Sequence, residues 1–401
     1  MAKKIMFQGT GSTVGKSLLN AALCRVLNND GYVVKPFKSQ NMALNSYITK
    51  NGKEMGRAQV VQAEAARVEP EVEMNPILLK PTSDMGSQVV VMGEVFSNKS
   101  AVEYYDLKDK LKQIIIKAYN KLSLNTDIIV LEGAGSPAEI NLKDKDIVNM
   151  GMAEMVDAPV ILVGDIDKGG VFASLYGTLE LLEEKERNRI KAFIINKFRG
   201  DIELLKPGVK MIEEKMGIPC LGVMPYFRHS IDDEDSVSSR LNISSEGDIV
   251  IGVVLLPYMS NFSDFTAFEV TNNVKLKYIR NSQELNDVDL IILPGSKNTI
   301  KDLDYLKENN FNTAINKAYS NKTPIIGICG GYQMLGKEII DPNFVESVKE
   351  QTEGLGLLDV VTTMAEEKTT KQISGEISTK NSFIDNVCNS KVEGYEIHMG
   401  I

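Results

Sequence analysis

Short, uniformly apolar runs alternate with longer stretches of helical periodicity along most of the chain. "KIMFQG", "YVVKPF", "QVVVMG", "DIIVLEG", "PVILVGD" and "KAFIINK" are the strand candidates up to residue 197. Several lack a polar–apolar alternation, as strands buried on both faces of a parallel sheet should. Between them the spacing predicts helices over roughly 16–29, 57–68, 101–122, 170–187 and 203–216. That order predicts an α/β fold with a doubly wound, mostly parallel sheet.

"GVMPYFRHSIDDEDSVSSRLNISSEGD", residues 222–248, breaks the rhythm with polar, acidic and serine-rich sequence. It reads as a surface connection between a first domain over 1–235 and a second over 249–401. The second opens a new β–α series, "DIVIGVVLLP", "VKLKYIR", "VDLIILPG" and "TPIIGIC", and is also α/β. No internal repeat or low-complexity segment stands out.

Composition narrows the field. A formal charge of −9 argues against a nucleic-acid or anionic-membrane surface, since both need clustered Lys and Arg. No apolar run approaches the roughly 20 residues that span a bilayer. "MAKKIMFQGTGS" lacks a signal peptide's cleavage region. Cys24, Cys220, Cys329 and Cys388 lie far apart with no CxxC pair, which suggests neither a zinc site nor a disulfide framework. The expected partners are small molecules and the expected compartment a reducing cytoplasm.

"FQGTGSTVGKSLLNAALCRVL" follows the first strand and opens a helix. It nearly matches the phosphate-binding pattern G-x-x-x-x-G-K-[ST], with five residues rather than four between Gly9 and Gly15. Glycines let backbone N–H groups turn toward a phosphate, and a helix N-terminus favours negative charge. Gly11, Thr13 and Gly15 are therefore the candidate ATP cradle, with Lys16 reaching the phosphates and Ser17 a ligand to Mg²⁺. Metal-binding carboxylates are expected beyond strand ends, at Glu132 in "VLEGAG" and at Asp165 and Asp167 in "VGDIDKGG". "KPFKSQNMALNS" carries Lys35, Lys38, Gln40, Asn41 and Asn45, which suits a polar anionic substrate or a solvated loop equally.

"GICGG" fits a nucleophile elbow with Cys329 in place of serine. Small neighbours are required because the nucleophile's backbone is strained and closely packed, and a helix N-terminus should lower the thiol pKa. An oxyanion hole would combine the N–H of Gly330 with one from Gly295 in "LIILPGSKNT".

Over essentially the whole chain the sequence resembles the cobyric acid synthase family, the glutamine-dependent amidotransferases of cobalamin biosynthesis. The resemblance rests on "PFKSQNMALNS", "EMGRAQVVQAEAARVEPEVEMNPILLKP", "EGAGSPAEINL", "DIVNMGMAE", "GDIDKGGVFASLYGT", "INKFRGD", "LPYMSNFSDF", "LPGSKNTIKDL", "GICGGYQMLG" and "GYEIHMG". It implies a dethiobiotin synthetase-like P-loop domain followed by a class I, triad-type glutamine amidotransferase domain. It also implies ATP-driven amidation of carboxylates b, d, e and g of adenosylcobyrinic acid a,c-diamide. Lys16, Ser17, Glu132 and Asp165 would then handle MgATP. Lys38, Gln40, Asn41 and Asn45 would meet the substrate, and Asp146 (in "KDKDIVNMG") would help position the corrinoid or a metal. Two rivals stand beside this reading: a cobyrinic acid a,c-diamide synthase, and a MinD/ParA-like ATPase switch with a non-catalytic glutamine-binding domain.

A cysteine nucleophile needs a base, and the chain has two histidines. His229 lies in the acidic connection and is expected to be exposed or to pack locally. His398 lies in "GYEIHMG". In the family resembled, that motif precedes the catalytic histidine, which follows in a stretch like YxHG that is not found here. The expectation is a base beyond Ile401, with His398 as the alternative. Such a chain would bind MgATP, use free ammonia and hydrolyse glutamine poorly.

Overall fold

The computed structural model describes residues 2–83, 86–227, 229, 231, 247–378 and 385–401. The chain packs into two compact units, and the division is not a simple cut. One unit comprises Met1–Met42, Met55–Leu79 and Gly86–Ile231; the other comprises Ala43–Glu54, Lys80–Met85 and Asp232–Ile401.

The first unit is built on six strands: β1 (Lys3–Gly9), β2 (Val34–Phe37), β3 (Ile128–Glu132), β4 (Val160–Asp165), β5 (Ile190–Phe198) and β6 (Cys220–Pro225). Their order is β6-β5-β4-β1-β3-β2, and all five pairings are parallel. The order reverses at β1, and the C-terminal ends at such a switch point are where open α/β sheets bind ligands. Residues of β4 are buried throughout, which explains its unbroken apolar run. Helices α1 (Lys16–Asn29), α2 (Arg57–Ala65), α3 (Ala101–Leu122), α4 (Val171–Glu180) and α5 (Ile202–Met216) accompany the sheet. In α3, Leu111, Ile115, Ala118, Tyr119 and Leu122 are buried, the spacing of a single apolar stripe. Burying each large member contributes about 1.5–3 kcal/mol, and Tyr119 meets Phe37 of β2 edge-on at 5.5 Å.

Two sequence expectations are corrected here. "QVVVMG" is no strand of the parallel sheet: Gly86–Val91 pairs antiparallel with Glu94–Ser100 as a hairpin. The stretch 222–248 is not wholly a connection, because its first residues complete β6, the edge strand beside β5. Residues 228, 230 and 232–246 of that stretch lie outside the described residues. His229 is exposed, its ring 5.7 Å from that of Phe227.

The second unit has a parallel sheet of β7 (Ile249–Val254), β8 (Val274–Ile279), β9 (Leu290–Leu293) and β10 (Ile325–Gly327), ordered β8-β7-β9-β10. Helices α6 (Thr299–Glu308) and α7 (Phe311–Ser320) lie between β9 and β10, and α8 (Gly330–Leu335) follows β10. Ile300, Leu303 and Leu306 of α6 pack with Phe311 and Ile315 of α7 in the buried core around Ile291 and Leu293. A second sheet joins β11 (Glu338–Ile340), β12 (Gln351–Glu353), β13 (Val361–Glu376) and β14 (Lys391–Gly400) in the order β12-β11-β13-β14. The "GYEIHMG" motif therefore lies on a long strand, antiparallel to β13.

Residues 43–54 belong to this second unit through specific bonds. Ser46 N–H donates to Asn261 Oδ1 at 3.1 Å, and the Tyr395 hydroxyl donates to the Ser46 carbonyl at 3.0 Å. The Thr370 hydroxyl donates to the Gly52 carbonyl at 3.0 Å.

Candidate active sites

In the first unit, β1 runs into the glycine loop and α1 begins at Lys16, with Gly15 as N-cap at φ +97°. Only glycine suits that position, because a Cβ there would lie 2.2 Å from Asn196 Nδ2. Asn196, which sequence reasoning passed over, donates from that amide to the Val14 carbonyl at 2.8 Å. The Lys16 ammonium is buried and donates to the carbonyls of Gly11 (2.8 Å), Ser12 (3.1 Å) and Gly135 (3.2 Å). It thus ties the loop after β1 to the loop after β3.

Ser17 and Glu132 are brought together: the hydroxyl donates to Glu132 Oε1 at 2.8 Å. The same carboxylate accepts from Lys38 at 3.1 Å and from Gln62 Nε2 at 2.5 Å, and Lys38 and Glu132 are almost fully buried. Removing one partner of such a pair typically costs about 3–5 kcal/mol. Asp165 is not joined to this group by any described bond. One of its oxygens accepts from Lys197 at 2.9 Å and the other from the Asp167 N–H at 2.9 Å. Lys197 also donates to the Thr13 carbonyl, and Lys168 to the Thr13 hydroxyl, each at 2.6 Å. Asp167 pairs with Arg199 at 2.8 Å. Lys197 and Gln62 were legible only as members of family-like motifs.

The remaining sequence candidates are occupied structurally. Asp146 accepts three backbone N–H bonds, from Val148 (2.8 Å), Asn149 (3.0 Å) and Gly151 (2.8 Å). Buried Asn41 donates to Gln59 at 3.1 Å, and Lys35 pairs with Glu71 at 2.6 Å. Gln40 opens the short strand Gln40–Met42, which runs parallel to Ile77–Leu79. Asn45, in the second unit, is buried and accepts the Phe262 N–H at 3.1 Å.

The residues of the loop fit a Mg-nucleotide. Glycines at 11 and 15 let the backbone turn its N–H groups toward a phosphate, and Ser17 with Glu132 supplies one hydroxyl and one carboxylate. Among the described residues no three His, Cys, Asp or Glu side chains converge as a protein-only metal cage. Mg²⁺ needs none, since it is held by one or two carboxylates together with phosphates and water. Among the described residues, Gln62 Oε1, on the side chain that holds Glu132, is a buried acceptor with no hydrogen-bond partner, as a metal's water ligand would require.

In the second unit, Cys329 sits between β10 and α8 with φ +50° and ψ −109°. Such backbone costs about 1–3 kcal/mol and is characteristic of functional positions. A Cβ on Gly331 would lie 2.1 Å from the Leu293 carbonyl oxygen, so the elbow can press against the end of β9 only with glycine there. Gly295 is adjacent: a Cβ on it would lie 3.9 Å from the Cys329 Cβ, and one on Gly330 would lie 3.0 Å from the Ser296 nitrogen. Nucleophile and candidate oxyanion loop are therefore neighbours.

The thiol opens into a pocket and is also flanked by protein; burial pushes its pKa up, against the lowering expected from a helix N-terminus. The Gly330 N–H and the ammonium groups of Lys80 and Lys368 oppose that rise. The thiol hydrogen bond goes to the Ile397 carbonyl at 3.6 Å. His398 lines the same pocket, with Nδ1 2.8 Å from the Gly400 carbonyl and Nε2 3.9 Å from Glu396.

Charged residues that sequence reasoning missed surround this pocket. Buried Glu54 accepts from Lys80 at 2.7 Å and from Lys368 at 2.6 Å, and the two cations hold its pKa far below the carboxylate range despite its burial. Burial lowers Lys368 to about 8. The candidate oxyanion loop is anchored by Asp302, which is fully buried on α6 and accepts the Ser296 hydroxyl at 2.6 Å and the Tyr258 N–H at 3.1 Å.

Burial raises Asp302 to about 7. The folded protein therefore keeps this proton where the unfolded chain has lost it, from pH ~4 to ~7. The stability so gained is complete below pH ~4 and disappears as pH rises through 7, by up to about 4 kcal/mol. Asp302→Asn should remove this component, so that its denaturant midpoint falls less than that of the unaltered protein over that window. Parallel midpoint profiles would contradict it.

Comparison with known proteins agrees with this division of labour. Residues 5–237 match a family model described as the CobQ/CobB/MinD/ParA nucleotide binding domain. Residues 250–401 match the CobB/CobQ-like glutamine amidotransferase domain. The cobyric acid synthase of Alkaliphilus metalliredigens is 57% identical over 98% of this chain and 79% of its own length. That of Thermoanaerobacter sp. (strain X514) is 56% identical over 100% of this chain and 79% of its own. That of Clostridium acetobutylicum is 55% identical over 99% and 79%. Among solved structures, the signal recognition particle receptor FtsY of Elizabethkingia anophelis in complex with GDP aligns over 55% of this chain and 56% of its own. That match has 16% identity and a TM-score of 0.34, too low to carry an argument.

Proposed function

The chain belongs to the cobyric acid synthase family, and we propose that it uses ATP and glutamine to amidate carboxylates b, d, e and g of adenosylcobyrinic acid a,c-diamide, giving adenosylcobyric acid. One observation carries this reading: a single chain holds both a phosphate loop with Lys16, Ser17 and Glu132 and a strained cysteine elbow beside Gly295. An ATPase switch alone has no use for the elbow.

In the first unit, the loop N–H groups and Lys16 hold the ATP phosphates. Ser17 and Glu132 would hold Mg²⁺, whose role when bound would be to neutralise charge on the transferring phosphoryl group. A substrate carboxylate oxygen takes the γ-phosphoryl group as ADP leaves, and ammonia then attacks the acyl carbon, expelling phosphate with the bonding electrons. Lys38, buried beside Glu132, pairs with that carboxylate and orients it toward Ser17. The Asp146 and Asn45 side chains accept backbone N–H bonds and shape their loops, and Lys38 is buried against Glu132, so Gln40 is the stronger substrate contact of that set.

In the second unit, the Cys329 thiolate attacks the glutamine amide carbon. The developing oxyanion is met by the Gly330 and Gly295 N–H groups. The nitrogen leaves with the C–N electron pair and takes up the proton that the thiol gave up, departing as ammonia, and water later hydrolyses the thioester to glutamate. Burial raises the thiol pKa, and the neighbouring Lys80 and Lys368 charges favour the thiolate. His398, turned onto the Gly400 carbonyl, serves as a wall of the pocket.

Incubation with the a,c-diamide, ATP, Mg²⁺ and either glutamine or ammonium chloride, read by product mass, is the direct test. Four new amides are expected. No change to the a,c-diamide but amidation of the unamidated cobyrinic acid would point to the a,c-diamide synthase, and ATP hydrolysis with no amidation would overturn the reading.

A further inference from the structure

The wall around Cys329 presents three lysines and a glutamate, and their bonding is unequal. Lys80 and Lys368 both rest on Glu54, and Lys80 also donates to the Ser46 hydroxyl at 3.0 Å. These two cations are committed to a buried cluster. Lys297 also lines the pocket, yet among the described residues its ammonium makes no hydrogen bond or ion pair. Glu346 lines it too, held at the start of α6 by the Thr299 N–H at 2.7 Å. Its own loop is pinned by buried Asp341, which accepts the N–H groups of Val345 (2.7 Å), Glu346 (2.9 Å) and Ser347 (3.0 Å). The site thus holds one cation and one anion on firm supports. Both pay for desolvation: burial pushes Lys297 down and Glu346 up, each relieved by the other's charge.

Lys297 stands two residues after Gly295 in the oxyanion loop, so a single loop can address both ends of one small ligand. An amide carbonyl at the elbow would lie beside Gly295 while a charge further along the ligand meets Lys297. We propose that Lys297 and Glu346 form a clamp for the zwitterionic end of a free α-amino acid, Lys297 binding the α-carboxylate and Glu346 the α-ammonium. The clamp selects free glutamine over a simple amide or a glutamine within a peptide, where one or both charges are missing. It rests on the amidotransferase reading above and adds the identity of the groups that recognise the ligand.

The test uses protection of Cys329 from iodoacetamide in the full chain. In that reaction the thiolate forms a C–S bond and iodide leaves with the C–I electron pair, the thiol proton passing to buffer. Alkylation is read by peptide mass with L-glutamine, with 4-aminobutanamide (no α-carboxylate) or with 4-carbamoylbutanoate (no α-ammonium) as protectant. In the unaltered protein each analogue should protect about 10- to 100-fold more weakly than glutamine, the range for a hydrogen bond to a charged group. Lys297→Met should abolish the preference over 4-aminobutanamide, and Lys297→Arg should retain it. Glu346→Gln should abolish the preference over 4-carbamoylbutanoate alone. Each protection factor is taken against the same variant's own rate without ligand, so a change in thiol reactivity on removing the Glu346 charge cancels, and an unchanged melting temperature shows that each variant is folded. Variants that discriminate as the unaltered protein does would overturn the clamp alone. Failure of glutamine to protect the unaltered protein would overturn the amidotransferase reading as well.

Discussion

Replacing Cys329 with alanine is expected to abolish glutamine-supported amide formation and leave ammonia-supported formation intact. Loss of a covalent nucleophile costs about 10³–10⁶-fold, because the other parts of the site cannot substitute for the missing bond. Alanine is the right replacement, since the elbow is packed against the ends of β9 and β10 and a larger side chain would disturb it. The synthetase chemistry does not use the sulfur, so ammonium chloride should drive the variant at the unaltered rate. Equal loss with both nitrogen sources would show that the elbow is structural and would remove Cys329 from the mechanism.

Lys16→Met should give the opposite pattern, a loss of about 10²–10³-fold with glutamine and ammonia alike, the cost of removing one charge-stabilising donor from a preorganised site. Methionine keeps the length and apolar body of the stem but not the ammonium that bridges Gly11, Ser12 and Gly135. Lys16→Arg should not rescue it, because a planar fork cannot replace a compact ammonium inside the loop. The measurement is single-turnover amidation at saturating ATP, with the melting temperature recorded beside it. Near-normal amidation in a folded Lys16→Met protein would refute the phosphate-loop reading.

The features legible in the sequence are those whose physics is local. The glycine loop, its lysine and its serine lie within one strand–loop–helix turn, and the elbow with its glycines lies within five residues. Buried parallel strands announce themselves as unbroken apolar runs, although the same signal misled at "QVVVMG", where an apolar run belongs to a hairpin. Asp146, Asn41 and Asn45 show the limit for polar residues in loops. A carboxylate or amide there answers the backbone's unmet donors as readily as a substrate's, and spacing does not separate the two. The Glu54–Lys80–Lys368 cluster was beyond reach for a different reason. Its members stand far apart along the chain, 314 positions separating Glu54 from Lys368, and nothing near any of them marks the others. Lys297 and Asp302 sat inside a recognised motif, but only the fold shows one facing the pocket and the other holding its loop.

That cluster bears on modularity. A gene fragment encoding residues 232–401 would supply the cysteine, its elbow and Lys368, but not Glu54 or Lys80, which the chain delivers from its first hundred residues. Lys368 would then face the interior with no counter-charge, and the thiol would lose one of the cations beside it. The surroundings of the thiol are therefore a product of the whole chain, and a cut between the units separates the cysteine from two of its charged neighbours.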